Sequence, residues 1–167
     1  NKKLCLYSKD GVQLSELITN DSWIMSNANQ KYGEKMLIGT HSGHVEMNNL
    51  TFDSVHTFYQ EKYAFRENLT DIVIHHLAGD RKVRIKCKDI IRSISLYKSK
   101  LAVQLSDKVC VYESNADEDT DMHFRARKER MTMSERKSDL MVVTSQHLLF
   151  TIDNVVELYS FAGVREK

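Results

Sequence analysis

The sequence contains 0 proline residues and only 6 glycines among 167, where average usage of about 7% Gly and about 5% Pro would supply roughly twelve and eight. Tight turns must therefore rest on Asn, Asp and Ser, as at Ser106-Asp107 and Asp153-Asn154, whose side chains bond their own backbone and tolerate left-handed conformations. Charge of one sign is also lacking. The 24 Lys and Arg nearly cancel the 23 Asp and Glu, for a net charge of +1, which leaves no global field to favour nucleic acid or an anionic membrane. Any electrostatic role must be local. No apolar run approaches the roughly 18 residues of a spanning helix. The three cysteines, Cys5, Cys87 and Cys110, are odd in number and widely spaced, which is no disulfide framework and points to the cytosol. The chain opens on Asn1 without a charged-then-apolar leader, so it reads as a segment excised from a longer protein. The triplets at Asn20, Asn49 and Asn68 match the glycosylation acceptor pattern, but such triplets arise by chance and act only on a secretory route.

What is present is ordinary in amount, with 41% hydrophobic and 28% charged residues, and informative in order. Short apolar runs rich in Val, Ile, Leu, Phe and Tyr alternate with polar turns. Three segments superpose as hairpins: Met36 to Ile38 and Val45 to Met47 around Ser42-Gly43; Leu101 to Leu105 and Val109 to Tyr112 around Ser106-Asp107; Leu148 to Ile152 and Val155 to Tyr159 around Asp153-Asn154. The second strand recurs more closely. Leu4-Cys5-Leu6-Tyr7, Val109-Cys110-Val111-Tyr112 and Val156-Glu157-Leu158-Tyr159 share one pattern, and Leu6-Tyr7-Ser8 with Gly11-Val12 repeats as Leu158-Tyr159-Ser160 with Gly163-Val164. The spacing fits the roughly 40 to 45 residues of a four-stranded propeller blade, with the interval from Gly43 to Asp107 carrying about twenty extra residues. The expected fold is all-β, built from four-stranded antiparallel blades of the WD40 type.

Runs such as Leu140-Met141-Val142-Val143 break strict alternation, as blade strands covered on both faces do. Met122 to Arg130 alternates apolar and charged residues like an outer edge strand that uses charge against stray pairing, and a helix over 125–137 stays open because nothing there breaks one. The extra residues lie in a hairpin of Ile72 to Leu77, turn Ala78-Gly79-Asp80 and return strand, with Val83, Ile85 and Cys87 on one face and Arg84, Lys86 and Lys88 on the other. This hairpin is expected to fall outside the blade rhythm. Phe52 to Asn68 before it is rich in aromatics and charge, which places a boundary near 70: residues 1–70 the last blades of one propeller, residues 71–167 a connecting hairpin and the first blades of a second.

Thr51 to Asp71, with its Phe58, Tyr59, Tyr63 and Phe65, then Lys82 to Lys88, Lys100 to Leu105, Asp121 to Arg125 and Ser160 to Val164 resemble the intraflagellar transport protein 122 family, a WD-repeat subunit of intraflagellar transport complex A. The resemblance runs in order along essentially the whole chain. It implies two adjoining propellers followed by a helical-repeat solenoid, a non-catalytic scaffold working in retrograde ciliary transport and cargo import, and a place in the cilium, at its base and in the cytoplasm. Implied partners are other complex A subunits, transport-train components and ciliary membrane cargo or adaptors, with no nucleic acid and no membrane span. A vesicle-coat subunit, which also joins twin propellers to a solenoid, is the alternative. No Trp-Asp dipeptide closes a strand, and the Gly43-His44 pair sits at a hairpin turn, so ligand contacts typical of WD propellers are not carried over.

Chemical motifs are sparse. His41 with His44, and His75 with His76, lack third and fourth ligands at metal-site spacing. Gly39-Thr-His-Ser-Gly43 has its serine one place late for a nucleophile elbow and sits between strands where that chemistry needs a strand-to-helix turn. Gly33-Glu-Lys lacks the rest of a phosphate loop. No catalytic, cofactor or metal residue is therefore assigned, and the chain is not expected to be an enzyme. Cys5 and Cys110 occupy equivalent strand positions as small buried hydrophobes. Two groups remain as candidate partner contacts: the aromatics Tyr59, Tyr63 and Phe65, equally suited to blade core, and the basic run Arg125, Arg127, Lys128 and Arg130, for which a solvated loop and outer strand is the first reading and a docking patch the second.

Overall fold

The computed structural model describes residues 1–7, 11–51, 53–114, 123–132, 138 and 140–166. Every regular element among them is a β-strand, and every strand pairing is antiparallel. The chain divides into two compact units, Asn1–Asp53 and Ser54–Lys167.

In the first unit, β1 (Lys3–Tyr7) pairs with β2 (Gln13–Thr19), while β3 (Ile24–Asn29), β4 (Lys35–Thr40) and β5 (Val45–Asn49) form a three-stranded meander. Strict alternation decides which face of β4 is covered: Met36, Ile38 and Thr40 are buried and Leu37 points out, as a period of two requires.

The second unit holds three sheets in chain order. The first is β6 (His56–Tyr59), β7 (Lys62–Asn68), β8 (Asp71–His76) and β9 (Arg81–Lys86); the second is β10 (Ser93–Tyr97), β11 (Lys100–Gln104), β12 (Lys108–Glu113) and β13 (Arg125–Thr132). The third contains β14 (Leu140–Val143), β15 (His147–Ile152) and β16 (Val155–Ser160). Each sheet is a simple up-and-down meander, and neighbouring sheets meet through their first strands, β10 touching both β6 and β14. Sheets that converge on their first strands and fan outward are propeller blades.

Two hydrophobic cores bind the three sheets. One side of the second sheet supplies Ile94, Leu96, Leu101, Val103 and Cys110 to a core shared with Ala64, Ile72 and Ile74 of the first. Its other side supplies Ala102, Val109, Val111 and Met131 to a core shared with Met141, Val143, Leu148, Phe150 and Ile152 of the third. This two-sided burial is why β11 and β12 read as continuous apolar runs. Each fully buried Ile or Leu contributes about 1.5 to 3 kcal/mol, so the contacts between sheets carry the unit. A polar staple crosses the second core, where the backbone N–H of Val143 donates to Ser95 Oγ at 3.0 Å, both residues buried.

The three expected hairpins form with their registers intact: Leu37 faces Met47, Val103 faces Cys110, and Ile152 faces Val155. Asp153 and Asn154 both adopt positive φ, 50° and 63°, the conformation a two-residue I′ turn needs. The longer repeat is also structural. Gly11 and Gly163 sit at φ 80° and 84°, and past them Tyr7 pairs with Gln13 while Tyr159 bridges to Arg165. Thus Arg165 bridges β16 in the register by which β2 pairs with β1.

Two expectations change. The hairpin 72–87 does not stand outside the blade rhythm: β8 and β9 are the third and fourth strands of the first sheet, and the apparent insertion is a whole blade. Its face assignment holds, with Val83, Ile85 and Cys87 packed on the first core and Arg84, Lys86 and Lys88 exposed. A division at 70/71 would separate β7 from β8, which are hydrogen-bonded neighbours of one sheet. The expected outer edge strand forms, Arg125–Thr132 being bonded to β12 at the edge of the second sheet, and the helix left open over 125–137 does not form within those residues; 133–137 lie outside the described residues.

Candidate partner-contact surfaces

The pleat sends the candidate aromatics to opposite faces of the first sheet. Tyr59 stands opposite Lys62, on the side of Ala64, and packs on the first core with its ring edge-on to Tyr97 at 5.0 Å between centroids. It is mortar between two blades. Tyr63 and Phe65 point the other way, stacked at 5.4 Å with His56 6.2 Å from Tyr63. Phe58, directly opposite Tyr63, completes this aromatic face and is 59% exposed. Among the described residues of the second unit, no strand covers it.

The third sheet presents a matching aliphatic face. Met141 and Val143 turn into the second core, so Leu140 and Val142 turn out, alongside half-buried Leu149 and Leu158 and the 64%-exposed Val156. Sequence reasoning expected cover on both faces of this run, and within this unit only one face has it. Contiguous apolar surface of this kind marks an interaction face.

The basic strand divides as well. Arg125 is exposed. Arg127 is half-buried, bonded to Glu113 at 3.1 Å and set over the Phe161 ring at 5.1 Å. Lys100 repeats both contacts, paired with Glu113 and 5.1 Å from the same ring centroid. Two cations that share one carboxylate and one buried ring fix the 160–163 turn of the third sheet against the second, each cation on the ring contributing about 0.5 to 1 kcal/mol. The side chains of Lys128 and Arg130 lie outside the described residues. Sequence reasoning missed Lys100, Glu113 and Phe161, because the cluster joins residues from three strands and a turn that are remote in sequence.

Titratable groups are spent locally. His75 bonds Asp80 at 2.8 Å, His147 bonds Glu166 at 3.0 Å, and His44 Nδ1 lies 3.3 Å from Ser42 Oγ. Glu157, buried in the second core, accepts from the Tyr159 hydroxyl at 2.7 Å and pairs with Arg165 at 3.0 Å. Burial pushes the Cys87 thiol above its ordinary range, against a weaker downward pull from the Tyr112 hydroxyl 3.9 Å from its sulfur, so it is held as the unreactive thiol. No three His, Cys, Asp or Glu side chains gather as metal ligands among the described residues. No helix among them is long and apolar enough to cross a membrane.

Comparison with known proteins bears on the same residues. The family model described as IFT122 second beta-propeller matches residues 56–167. The whole chain aligns with the intraflagellar transport protein 122 homolog of Mus musculus at 32% identity and with that of Xenopus tropicalis at 33%, in each case spanning 14% of the relative's length. Among solved structures, a chain in a crystal structure of the mitotic checkpoint complex is similar with a TM-score of 0.50 and 11% identity, over 80% of this chain and 44% of that one. The matched span begins at the first residue of β6 and takes in all three sheets whose order and packing define the second unit. The chain thus belongs to the family of the intraflagellar transport protein 122 second β-propeller.

Proposed function

We propose that this chain is part of a non-catalytic scaffold subunit of intraflagellar transport complex A, in which residues from about 54 onward open the second propeller and the preceding residues close the first. The observation that carries this reading is the pairing of the family match over 56–167 with a three-blade array whose two outer faces are apolar. Rigid blades hold loops and edges at fixed positions around a broad surface, which suits an assembly subunit. In this role the protein supports retrograde ciliary transport and import of ciliary membrane cargo through contacts with other complex A subunits, transport-train components and adaptors. It works in the cilium, at its base and in the surrounding cytoplasm.

The test is affinity purification and imaging of the tagged full-length protein in ciliated cells. Recovery of complex A subunits and signal along the axoneme are expected. Recovery of vesicle-coat subunits instead, with no ciliary signal, would overturn the reading in favour of a coat component.

A further inference from the structure

Trp23, the one tryptophan of the sequence, is 58% exposed and packs in neither hydrophobic core. Among the described residues, no hydrogen bond, ion pair or ring contact engages its side chain. It lines an open groove of about 690 Å³ in the first unit, together with Lys2, Asn20, Asp21, Ser22, Ser42 and Glu46. The groove lies between the β2–β3 and β4–β5 turns, and its walls are laced together. The His41 N–H donates to the Trp23 carbonyl at 2.8 Å, and the Ile24 N–H donates to the Asn1 carbonyl at 2.7 Å. The Ser42 N–H donates to Ser22 Oγ at 3.3 Å. Asn20 joins both walls: its Oδ1 accepts the Ser22 N–H at 2.9 Å, and its Nδ2 donates to Glu46 Oε1 at 3.1 Å. The backbone at Trp23 is therefore pinned while its ring stays in water, an arrangement that gives a ligand a platform with little left to order on binding. The charge beside it has a sign. Glu46 takes its bond from a neutral amide, and among the described residues no cation pairs with Glu46 or with Asp21. Two uncompensated carboxylates and an indole, the ring whose negative face attracts cations best, thus border one groove.

We propose that this groove binds an arginine side chain presented by a partner protein. A guanidinium is flat, stacks on an aromatic face and offers forked donors to carboxylates, so it answers both kinds of wall at once. Lys2 is the cation of the lining and opposes the ligand, which keeps the site selective for a side chain that also gains the ring. The site stands on the first unit alone and holds whether or not the protein serves cilia.

The experiment is hydroxyl-radical footprinting of the full-length protein, with oxidation of Trp23 followed by mass spectrometry and Tyr32, 86% exposed in the β3–β4 turn, as internal control. A blocked tetra-arginine peptide and a blocked tetraglutamate peptide are added in separate arms at equal ionic strength. The expected result is several-fold slowing at Trp23 by tetra-arginine, with no change at Tyr32 and none at Trp23 from tetraglutamate. Asp21→Asn combined with Glu46→Gln, both at exposed positions, keeps side-chain size and the Asn20 acceptor and is expected to abolish the protection. Lys2→Gln, also exposed, is expected to strengthen it. Unchanged oxidation of Trp23 under tetra-arginine would overturn the proposal, as would equal protection by tetraglutamate. Protection that survives loss of both carboxylates, or that Lys2→Gln weakens, would overturn it too, because the groove would then not be reading positive charge.

Discussion

Removing the hydroxyl of Ser95 tests whether the second and third sheets are fastened by more than apolar contact. Ser95 Oγ accepts the Val143 N–H at 3.0 Å, and both residues are buried. The change Ser95→Ala leaves a backbone donor without a partner in a core lined by Ala102, Leu148 and Phe150. An orphaned buried donor costs about 1 to 3 kcal/mol, and because each 1.4 kcal/mol is tenfold in an equilibrium constant, amide exchange around Val143 should accelerate by about 5- to 150-fold. Hydrogen-exchange mass spectrometry of the full-length protein, read on peptides covering β14 and β15, measures this directly. Ser145→Ala in the exposed β14–β15 turn is the control, expected to fall within about 0.5 kcal/mol of wild type. If Ser95→Ala exchanges no faster than Ser145→Ala, the staple is dispensable and the account of how these two sheets hold together is refuted.

Two further outcomes follow from particular contacts. Arg127→Ala removes a bond to Glu113 and a cation from the Phe161 ring and is expected to cost about 2 kcal/mol, whereas Arg125→Ala, at an exposed position, should stay within about 0.5 kcal/mol; exchange rates of β12 and β13 in the two variants check the order. The Cys87 thiol, pushed up by burial, carries less thiolate at pH 8 than a free cysteine and should be alkylated more slowly by iodoacetamide. Tyr112→Phe, by deleting the hydroxyl that pulls its pKa down, should slow it further. A faster rate in either case would contradict the assignment.

What could be read in the residues follows from turn chemistry. The hairpins at Ser42-Gly43, Ser106-Asp107 and Asp153-Asn154 announce themselves because their turns use residues suited to positive φ or to side-chain bonding of the backbone. The first sheet hid for the opposite reason. Its opening hairpin turns at Gln60 and the next sheet's at Lys98, both at φ 51°, where a long side chain gives no signal that the backbone is left-handed. With β6 and β7 unseen, the aromatic segment looked like a junction and β8–β9 like an insertion, which pulled the expected boundary some way downstream of the Asp53/Ser54 division.

The candidate contacts were legible by type and not by face. Alternation along β6 and β7 was available, but deciding that Tyr59 faces the core while Tyr63 and Phe65 face away needs the register with β8, which depends on sheet membership. Arg127 could not be told from its exposed neighbour Arg125 because its partners are remote in sequence: Glu113 comes from another strand, and Phe161 from another sheet.

The central claim is that these sheets are consecutive blades of a propeller that continues along the chain. Its most direct test is a cryo-electron microscopy structure of the full-length protein. The account predicts that 164–166 extend into a fourth strand beside β16 and that a further β-sheet seats on Leu140, Val142, Leu149, Val156 and Leu158. Finding that aliphatic face open to solvent, or covered by a helix, would contradict it.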